Sequence, residues 1–165
     1  NTIIQQSADV QISIFIGRMY KYARMYSKKI LSTTDLNGLD DYTFMATLMY
    51  RESMTKSELI HYNLMDSTTS GADIIKRLIK SGYIEEHDDE HDKRSKWVRI
   101  TNTGKELMFN VFNEMDLVSN IVTGDLTDDE KLFLLEYLKK LDNFHLCIYN
   151  NDRKLELNEI KNKYL

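Results

Sequence analysis

Two histidines and four acidic residues crowd into one short stretch of the chain, where they could bind a metal ion. Imidazole nitrogens and carboxylate oxygens are common zinc ligands. A zinc site needs its ligands fixed in a tetrahedron, which a flexible charged loop does not provide. We therefore favour a solvated loop with incidental histidines and predict no metal and no cofactor. The six residues are His87, Asp88, Asp89, Glu90, His91 and Asp92.

Cys147, the single cysteine, is the other candidate for reactive chemistry. Its apolar and aromatic neighbours favour a buried, inert thiol over a redox sensor. One cysteine excludes an internal disulfide framework and suits a reducing cytoplasm. The sequence contains no glycine-rich phosphate loop and no recognisable serine, histidine and acid set, so we predict that the protein is not an enzyme.

The segment from Asp88 to Ser95 has no apolar side chain and lies between two strand-like runs, Tyr83–His87 and Lys96–Ile100. In the second run polar and apolar residues alternate, as a half-buried strand requires. Because the charged segment cannot pack, it must project as a hairpin. A helical pattern precedes this hairpin and another follows it. The order helix, charged hairpin, helix predicts a winged helix-turn-helix with a two-stranded wing.

Two helical segments joined by a short turn precede the hairpin. Thr55 and Glu58 have the spacing of a capping box, which opens a helix of barely two turns. Asn63 falls where a tight turn needs a residue that tolerates positive φ, and Asp66 is expected to cap the next helix. Gly82 stops that helix. The pair matches a helix-turn-helix, whose second helix enters the major groove of DNA.

The candidate DNA-binding residues lie at the starts of these two helices and in the hairpin. Hydroxyl groups dominate the start of the second helix, and hydroxyls can contact phosphates or base edges. Asp73 could accept from cytosine N4 or could merely pair with a neighbouring cation. The full set is Thr55, Lys56, Ser67, Thr68, Thr69, Ser70, Asp73, Lys76, Lys93, Arg94 and Lys96.

Long amphipathic helices flank this lobe. The first is predicted over Ser7–Leu31, with an apolar stripe too long for one small lobe to bury. A short helix capped by Asp40 or Asp41 follows it. Thr101 caps the helix after the hairpin, and Thr127 with Glu130 forms a second capping box that opens the last long helix.

This pattern predicts a mainly α protein that dimerises through its terminal helices. The predicted domains are residues 1–34, an N-terminal dimerisation helix, residues 35–104, the DNA-binding lobe, and residues 105–165, the C-terminal dimerisation helices and tail. Residues 150–165 fit a helix, a short strand or a tail equally well.

The first helix also offers aromatic and basic side chains that could bind a small molecule. Arg18, Met19 and Tyr22 would suit a planar anionic effector. Core or dimer packing uses the same residue types and is the favoured interpretation. Arg24 and Lys28 continue a basic stripe that we interpret as a solvated face.

Charge limits the way in which such a protein could bind DNA. The formal net charge is −4, and residues 51–100 carry nine basic and ten acidic side chains. A DNA-binding face must therefore be a local patch of cations. No apolar run approaches the ~20 residues of a membrane span, so we expect a cytoplasmic protein without a membrane partner.

Three segments give the chain a resemblance to the MarR family of bacterial transcriptional regulators. They are Arg77–Gly82 at the end of the second lobe helix, Asp92-Lys93-Arg94 in the wing, and Ile100–Gly104 after it. The resemblance implies a homodimer held by the first, fifth and sixth helices. It also implies that the fourth helix enters the major groove of an operator and that Arg94 enters the minor groove, with Asp92 orienting the arginine. Many such proteins are repressors released by small aromatic anions.

The chain departs from the family pattern at three acids. Asp73 stands where relatives usually place an arginine, and Glu85 and Glu86 stand where a basic residue commonly enters the wing. Two alternatives to a repressor therefore stay open. One is a winged-helix interaction module with weak DNA affinity, and the other is a sensor gated by metal or redox chemistry.

Overall fold

The computed structural model describes residues 7–65, 67–89 and 96–165. Within these ranges the helices are α1 (Ala8–Leu31), α2 (Leu39–Arg51), α3 (Lys56–Tyr62), α4 (Thr68–Lys80), α5 (Asn102–Thr123), α6 (Asp128–Asp152) and α7 (Leu157–Tyr164). The strands are β1 (Ser53–Thr55), β2 (Ile84–Asp88) and β3 (Lys96–Ile100). The mainly helical prediction is confirmed.

Local capping signals place most helix starts where the sequence predicts them. The Ser7 hydroxyl accepts from the backbone N–H of Val10 and caps α1. Capping boxes open α3 at Thr55 and α6 at Thr127, and in both the side chain three residues later accepts from the cap's own N–H. The Thr101 hydroxyl accepts from the N–H of Gly104 at 3.0 Å, as expected for the start of α5.

Three predicted turn and cap residues are wrong. The N-cap of α2 is Gly38 rather than Asp40 or Asp41. In the turn after α3 the positive φ, 52°, belongs to Leu64, while Asn63 has φ −85°. Asn63 stays near the helical region because its amide donates to the carbonyl of Leu59 at 2.9 Å.

The predicted cap of α4 is also corrected. Asp66 lies outside the described residues, and the N-cap is its neighbour Ser67, whose hydroxyl accepts from the N–H of Ser70 at 3.1 Å. A serine and an aspartate are nearly equivalent as caps, so the sequence could not separate adjacent candidates.

The wing belongs to a sheet of three strands and not two. β3 lies in the centre, antiparallel to β2 on one side and to β1 on the other. Glu85 is the cross-strand partner of Arg99, and Asp88 is the partner of Lys96. β1 has only three residues, Ser53–Thr55, which is too short to show a period-two pattern.

One core joins the helices of the lobe to the inner face of this sheet. Its fully buried members come from α1, α2, α3, α4, β2, β3 and α5: Leu31, Phe44, Met45, Leu48, Leu59, Ile75, Leu78, Ile84, Val98 and Met108. On α4, Ile74, Ile75 and Leu78 are buried, and Ile79 is half-buried. The core therefore fixes which face of α4 is left for solvent.

Residues Thr123–Leu165 form a second compact unit, separate from the unit that ends at Val122. Here α7 resolves the undecided end of the chain as a helix. Asp152 at the end of α6 accepts from the hydroxyl of Tyr164 and from Lys163 Nζ, which ties α7 to α6. The hydrogen bond to Asp152 is the main reason that the pKa of Tyr164 is raised to about 12, because the carboxylate holds the phenol proton.

The prediction of a buried Cys147 is wrong. The thiol is exposed, whereas Ile148, the next residue, is the buried residue of α6. Neighbouring residues on a helix point about 100° apart, so an apolar neighbour in sequence does not place a side chain on the buried face.

Candidate nucleic-acid interface

Helices α3 and α4 pack closely because the residue at their contact is a glycine. A Cβ on Gly71 would lie 2.6 Å from Cγ1 and 2.8 Å from Cγ2 of Ile60. The absence of this atom lets the second turn of α4 sit directly on α3. The close contact fixes the inner face of α4 and leaves its outer face to solvent.

The outer face of α4 carries the predicted reader residues. Thr68, Thr69, Asp73 and Lys76 are exposed. Ser67 and Ser70 are also exposed, but the Ser67 hydroxyl caps the helix and donates to Ser70 Oγ at 2.9 Å. These two hydroxyls therefore hold the helix start in addition to any contact they make with DNA.

A buried ion pair anchors the C-terminal end of α4. The Asp41 carboxylate is 2% exposed and accepts from Arg77 Nε at 3.1 Å and from Arg77 Nη2. The same carboxylate accepts from the N–H of Asn37 at 2.9 Å. The hydrogen bond to Asp41 is the main reason that the pKa of Arg77 is raised. This two-pronged pair fixes α4 to the start of α2.

Sequence reasoning missed this anchor. It treated Asp41 as a helix cap and Arg77 as part of a family motif. The two residues are 36 positions apart, and no local pattern links them. The only available signal was the position of Asp41, the third residue of α2, in a helix whose N-cap is Gly38. A carboxylate that is not needed as the cap is available to pair with a distant cation.

Three cations at the base of the wing are each paired with a carboxylate of β2. Lys56, the first residue of α3, pairs with Glu86, and Arg99 of β3 pairs with Glu85 at 2.7 Å. Lys96 pairs with Asp88, and this hydrogen bond is the main reason that its pKa is raised. The predicted DNA contacts Lys56 and Lys96 are thus already occupied within the protein.

The outer face of the sheet carries an aromatic pair. His87 stacks on Trp97, and its Nε2 lies 2.9 Å from Ser53 Oγ. The indole of Trp97 donates to Asp89 Oδ2 at 2.8 Å. Across residues 7–65, 67–89 and 96–165, no group of three histidine, cysteine or acidic side chains has metal-binding geometry.

Several residues singled out in the predicted wing lie outside the described residues: Glu90, His91, Asp92, Lys93 and Arg94. The predicted minor-groove arginine and its supporting acid therefore stay sequence predictions, and half of the candidate metal ligands also lie outside the described residues.

Two cavities lie within the unit that carries α1 to α5. The larger, about 470 Å³, lies between α1, the start of α2 and α4. The other, about 360 Å³, lies between the end of α1 with the loop after it, Tyr83 and α5. The larger cavity is lined by Tyr20, Arg24, Lys28, Asn37, Gly38, Leu39, Asp40, Asp41, Ile74 and Arg77. Its cations make it the better site for an anion.

The predicted effector residues lie on another part of α1. Arg18 donates to the hydroxyl of Tyr22 at 2.7 Å and stacks over its ring, and Met19 is exposed. Neither of the two cavities is lined by these three residues.

Comparisons with known proteins agree with this geometry. Residues 43–104 match the family model of the winged helix DNA-binding domain. A mutant MarR from E. coli in complex with operator DNA superposes with a TM-score of 0.73 at 20% identity, over 80% of this chain and 94% of that chain. The chain has the fold of the MarR regulators.

Two further relatives extend the comparison. BpsR of Bordetella bronchiseptica, whose DNA binding is regulated by 6-hydroxynicotinic acid, has this MarR fold with a TM-score of 0.75 at 15% identity, over 84% of this chain and 97% of its own. The HTH-type transcriptional regulator YwaE of Bacillus subtilis is 30% identical over 80 residues, which are 48% of this chain and 47% of YwaE. The match thus spans about half the length of this curated relative.

The comparisons confirm the resemblance to MarR regulators at the level of the fold. Each protein named here is a regulator, which agrees with a role outside catalysis. No helix in the described parts of the chain is long and apolar enough to cross a membrane.

Proposed function

We propose that this protein is a dimeric, sequence-specific DNA-binding transcriptional regulator, and that it acts as a repressor released by a small molecule. The observation that carries the proposal is the construction of α4. Its apolar face is locked into the core, its C-terminal end is anchored by Asp41, and its outer face presents Thr68, Thr69, Asp73 and Lys76. A rigid helix with an exposed polar face is what reading of the major groove requires.

Sequence preference is tested by selecting bound duplexes from a random pool. Under this proposal the selected operator contains two half-sites about 34 Å apart, one helical turn, because a two-fold symmetric dimer presents two copies of α4. Failure to select any sequence would favour the interaction-module alternative.

The role of Asp73 is then tested on the selected operator. Asp73→Asn removes one charge at nearly constant size, and Asp142→Asn on α6 is a control with the same charge change. If Asp73 only opposes phosphates, the variant binds every duplex more tightly. If Asp73 accepts from cytosine, discrimination is lost at one base pair by about 1–3 kcal/mol.

Exposed apolar side chains on the long helices support the dimer. On α1 they include Ile12, Phe15, Ile16 and Met19, and on α6 they include Leu132, Leu135, Leu138 and Leu141. Faces of this size are rarely left to water. An obligate dimer of this kind is expected to bury more than ~2,000 Å² in total.

Sedimentation of two arginine variants tests the dimer. Phe15→Arg places a charge within the apolar face of α1 and is expected to give monomers at micromolar concentration. Tyr50→Arg is the control, since Tyr50 is 83% exposed at the end of α2. A wild-type protein that is monomeric at that concentration would overturn the dimer.

The larger cavity is the proposed effector site. Its volume, about 470 Å³, lies within the range of small-molecule sites, and Arg24 and Lys28 supply cations for a carboxylate. Calorimetric titration with aromatic carboxylates is expected to detect binding that the double variant Arg24→Gln/Lys28→Gln loses. Equal binding by that variant would exclude this cavity as the site.

A further inference from the structure

The carboxylates of β2 occupy the cations that a DNA-binding lobe would use on phosphates. Glu85, Glu86 and Asp88 each pair with a different cation, and the three cations come from two elements, two from β3 and one from α3. Two of the pairs follow directly from the strand register, since Glu85 faces Arg99 and Asp88 faces Lys96. The third reaches from β2 to the first residue of α3.

These pairs lie where solvent and a ligand can reach them. In the Lys56–Glu86 pair the side chains are 38% and 32% exposed, and in the Arg99–Glu85 pair they are 56% and 49% exposed. Exposed pairs of this kind contribute little to the stability of a fold, about 0–1 kcal/mol each. Stability alone therefore gives little reason for three carboxylates on one strand.

We propose that the β2 carboxylates are specificity-determining residues that compete with DNA phosphate for the cations of the wing base. This inference rests on the proposed function. A phosphate that approaches Lys56 must displace Glu86. A contact between Lys56 and a phosphate therefore contributes less binding free energy than the same contact made by an unpaired lysine. Phosphate contacts are independent of base sequence, and the competition therefore lowers nonspecific affinity more than it lowers base readout by α4.

A second mechanism must be distinguished from this one. A carboxylate near DNA also repels phosphate at a distance, whether or not it touches a lysine. Simple repulsion gives Glu86 the same effect on binding in the presence or absence of Lys56. If Glu86 acts by competition, it lowers DNA affinity only in proteins whose Lys56 can bind a phosphate.

A double-mutant cycle on the full chain separates the two mechanisms. The variants are Glu86→Gln, Lys56→Gln and the double variant, with Glu106→Gln on exposed α5 surface as a control of equal charge change. Affinity is measured on the selected operator and on a duplex of random sequence at several salt concentrations. Thermal unfolding of each variant checks that the fold is retained.

The competition model makes definite predictions for the cycle. Glu86→Gln is expected to tighten binding to the random duplex about two- to five-fold, the range that exposed ion pairs allow. Lys56→Gln is expected to weaken DNA binding in both backgrounds. The loss of affinity should be smaller in the wild type than in Glu86→Gln. The salt dependence of binding should steepen in Glu86→Gln, because one more phosphate is neutralised.

The outcomes separate the inference from the proposed function. If the wild type binds an operator and Glu86→Gln tightens binding equally with and without Lys56, long-range repulsion is sufficient and competition is wrong. If Glu106→Gln has the same effect as Glu86→Gln, the effect is one of net charge and the inference also fails. If no form of the protein binds any duplex, the proposed function itself fails. Glu85→Gln with Arg99→Gln provides an independent cycle in case the first pair perturbs α3.

Discussion

Gly104 provides the sharpest test of the packing between α5 and the sheet. A Cβ at this position would lie 2.2 Å from the carbonyl oxygen of Tyr83, 2.8 Å from Ile100 Cγ1 and 3.0 Å from Met45 Cε. The carbonyl oxygen is the decisive contact because it is backbone and already accepts from the N–H of Thr101 at 3.0 Å. It cannot retreat without breaking the link between β2 and the start of α5.

The expected cost of Gly104→Ala follows from two opposing terms. Overpacking of a rigid site costs about 1–3 kcal/mol, and a backbone clash places this site at the upper end. Alanine in a helix recovers up to about 1 kcal/mol relative to glycine. The net loss is about 2 kcal/mol, which corresponds to a fall in Tm of about 4–8 °C for a chain of this length.

Gly17→Ala is the matched control, since a Cβ on Gly17 would meet no atom within 4 Å outside the helix's own nearby backbone. It is expected to raise Tm by about 2–4 °C through helix propensity alone. Both variants are compared by calorimetry at one protein concentration, because association would make Tm depend on concentration. A Gly104→Ala protein as stable as the wild type would refute the packing argument.

Three further predictions concern the anchor, a helix cap and the wing. Arg77→Met leaves the buried carboxylate of Asp41 without a cation and with the N–H of Asn37 still donating to it. This change should lower the free energy of unfolding by about 2–4 kcal/mol, whereas adding Asp41→Asn should restore part of that loss in denaturant titration. The pKa of Glu130 is lowered from 4.5, chiefly by the backbone hydrogen bond at Thr127, so its stabilising effect is present above pH 4.5 and lost as the pH falls through the lowered value. Glu130→Gln should therefore show a smaller fall in Tm below that pH than the wild type. Arg94→Ala should weaken operator binding by about 1–3 kcal/mol in a binding assay, and unchanged affinity would show that the wing does not contact DNA.

Local features of the fold could be predicted from the sequence. The capping boxes at Thr55 and Thr127 each involve residues three positions apart, so the chain displays them without any tertiary information. The hairpin could also be predicted, because a charged segment without apolar residues divides two apolar runs. The cap at Ser67 was missed by one residue, since serine and aspartate are nearly equivalent as caps. The positive φ at Leu64 was also missed by one residue, because residue type alone favours the neighbouring asparagine.

Nonlocal features could not be predicted in the same way. β1 pairs with residues of β3 that lie 42 to 46 positions further along the chain, for example Ser53 with Arg99, and a three-residue strand has no pattern of its own. From the sequence, the acids Glu85 and Glu86 could be interpreted only as departures from the family pattern, because their partners were unknown. Only the strand register and the approach of α3 show that each has a cation in contact.

The anchor and the first reader residues, Thr68 and Thr69, lie at opposite ends of α4, and this separation has a mechanical consequence. Thr68 and Arg77 are nine residues apart, which is roughly 14 Å along a helix. A tilt of about 5° around Arg77 therefore moves the start of α4 by roughly 1 Å, enough to misalign hydrogen bonds to base edges. Asp41 holds Arg77 and also lines the larger cavity, beside Arg24 and Lys28. Under the proposed function, an anion in that cavity would compete with Asp41 for Arg77. The resulting displacement of α4 would be greatest at its start, where Thr68 and Thr69 lie.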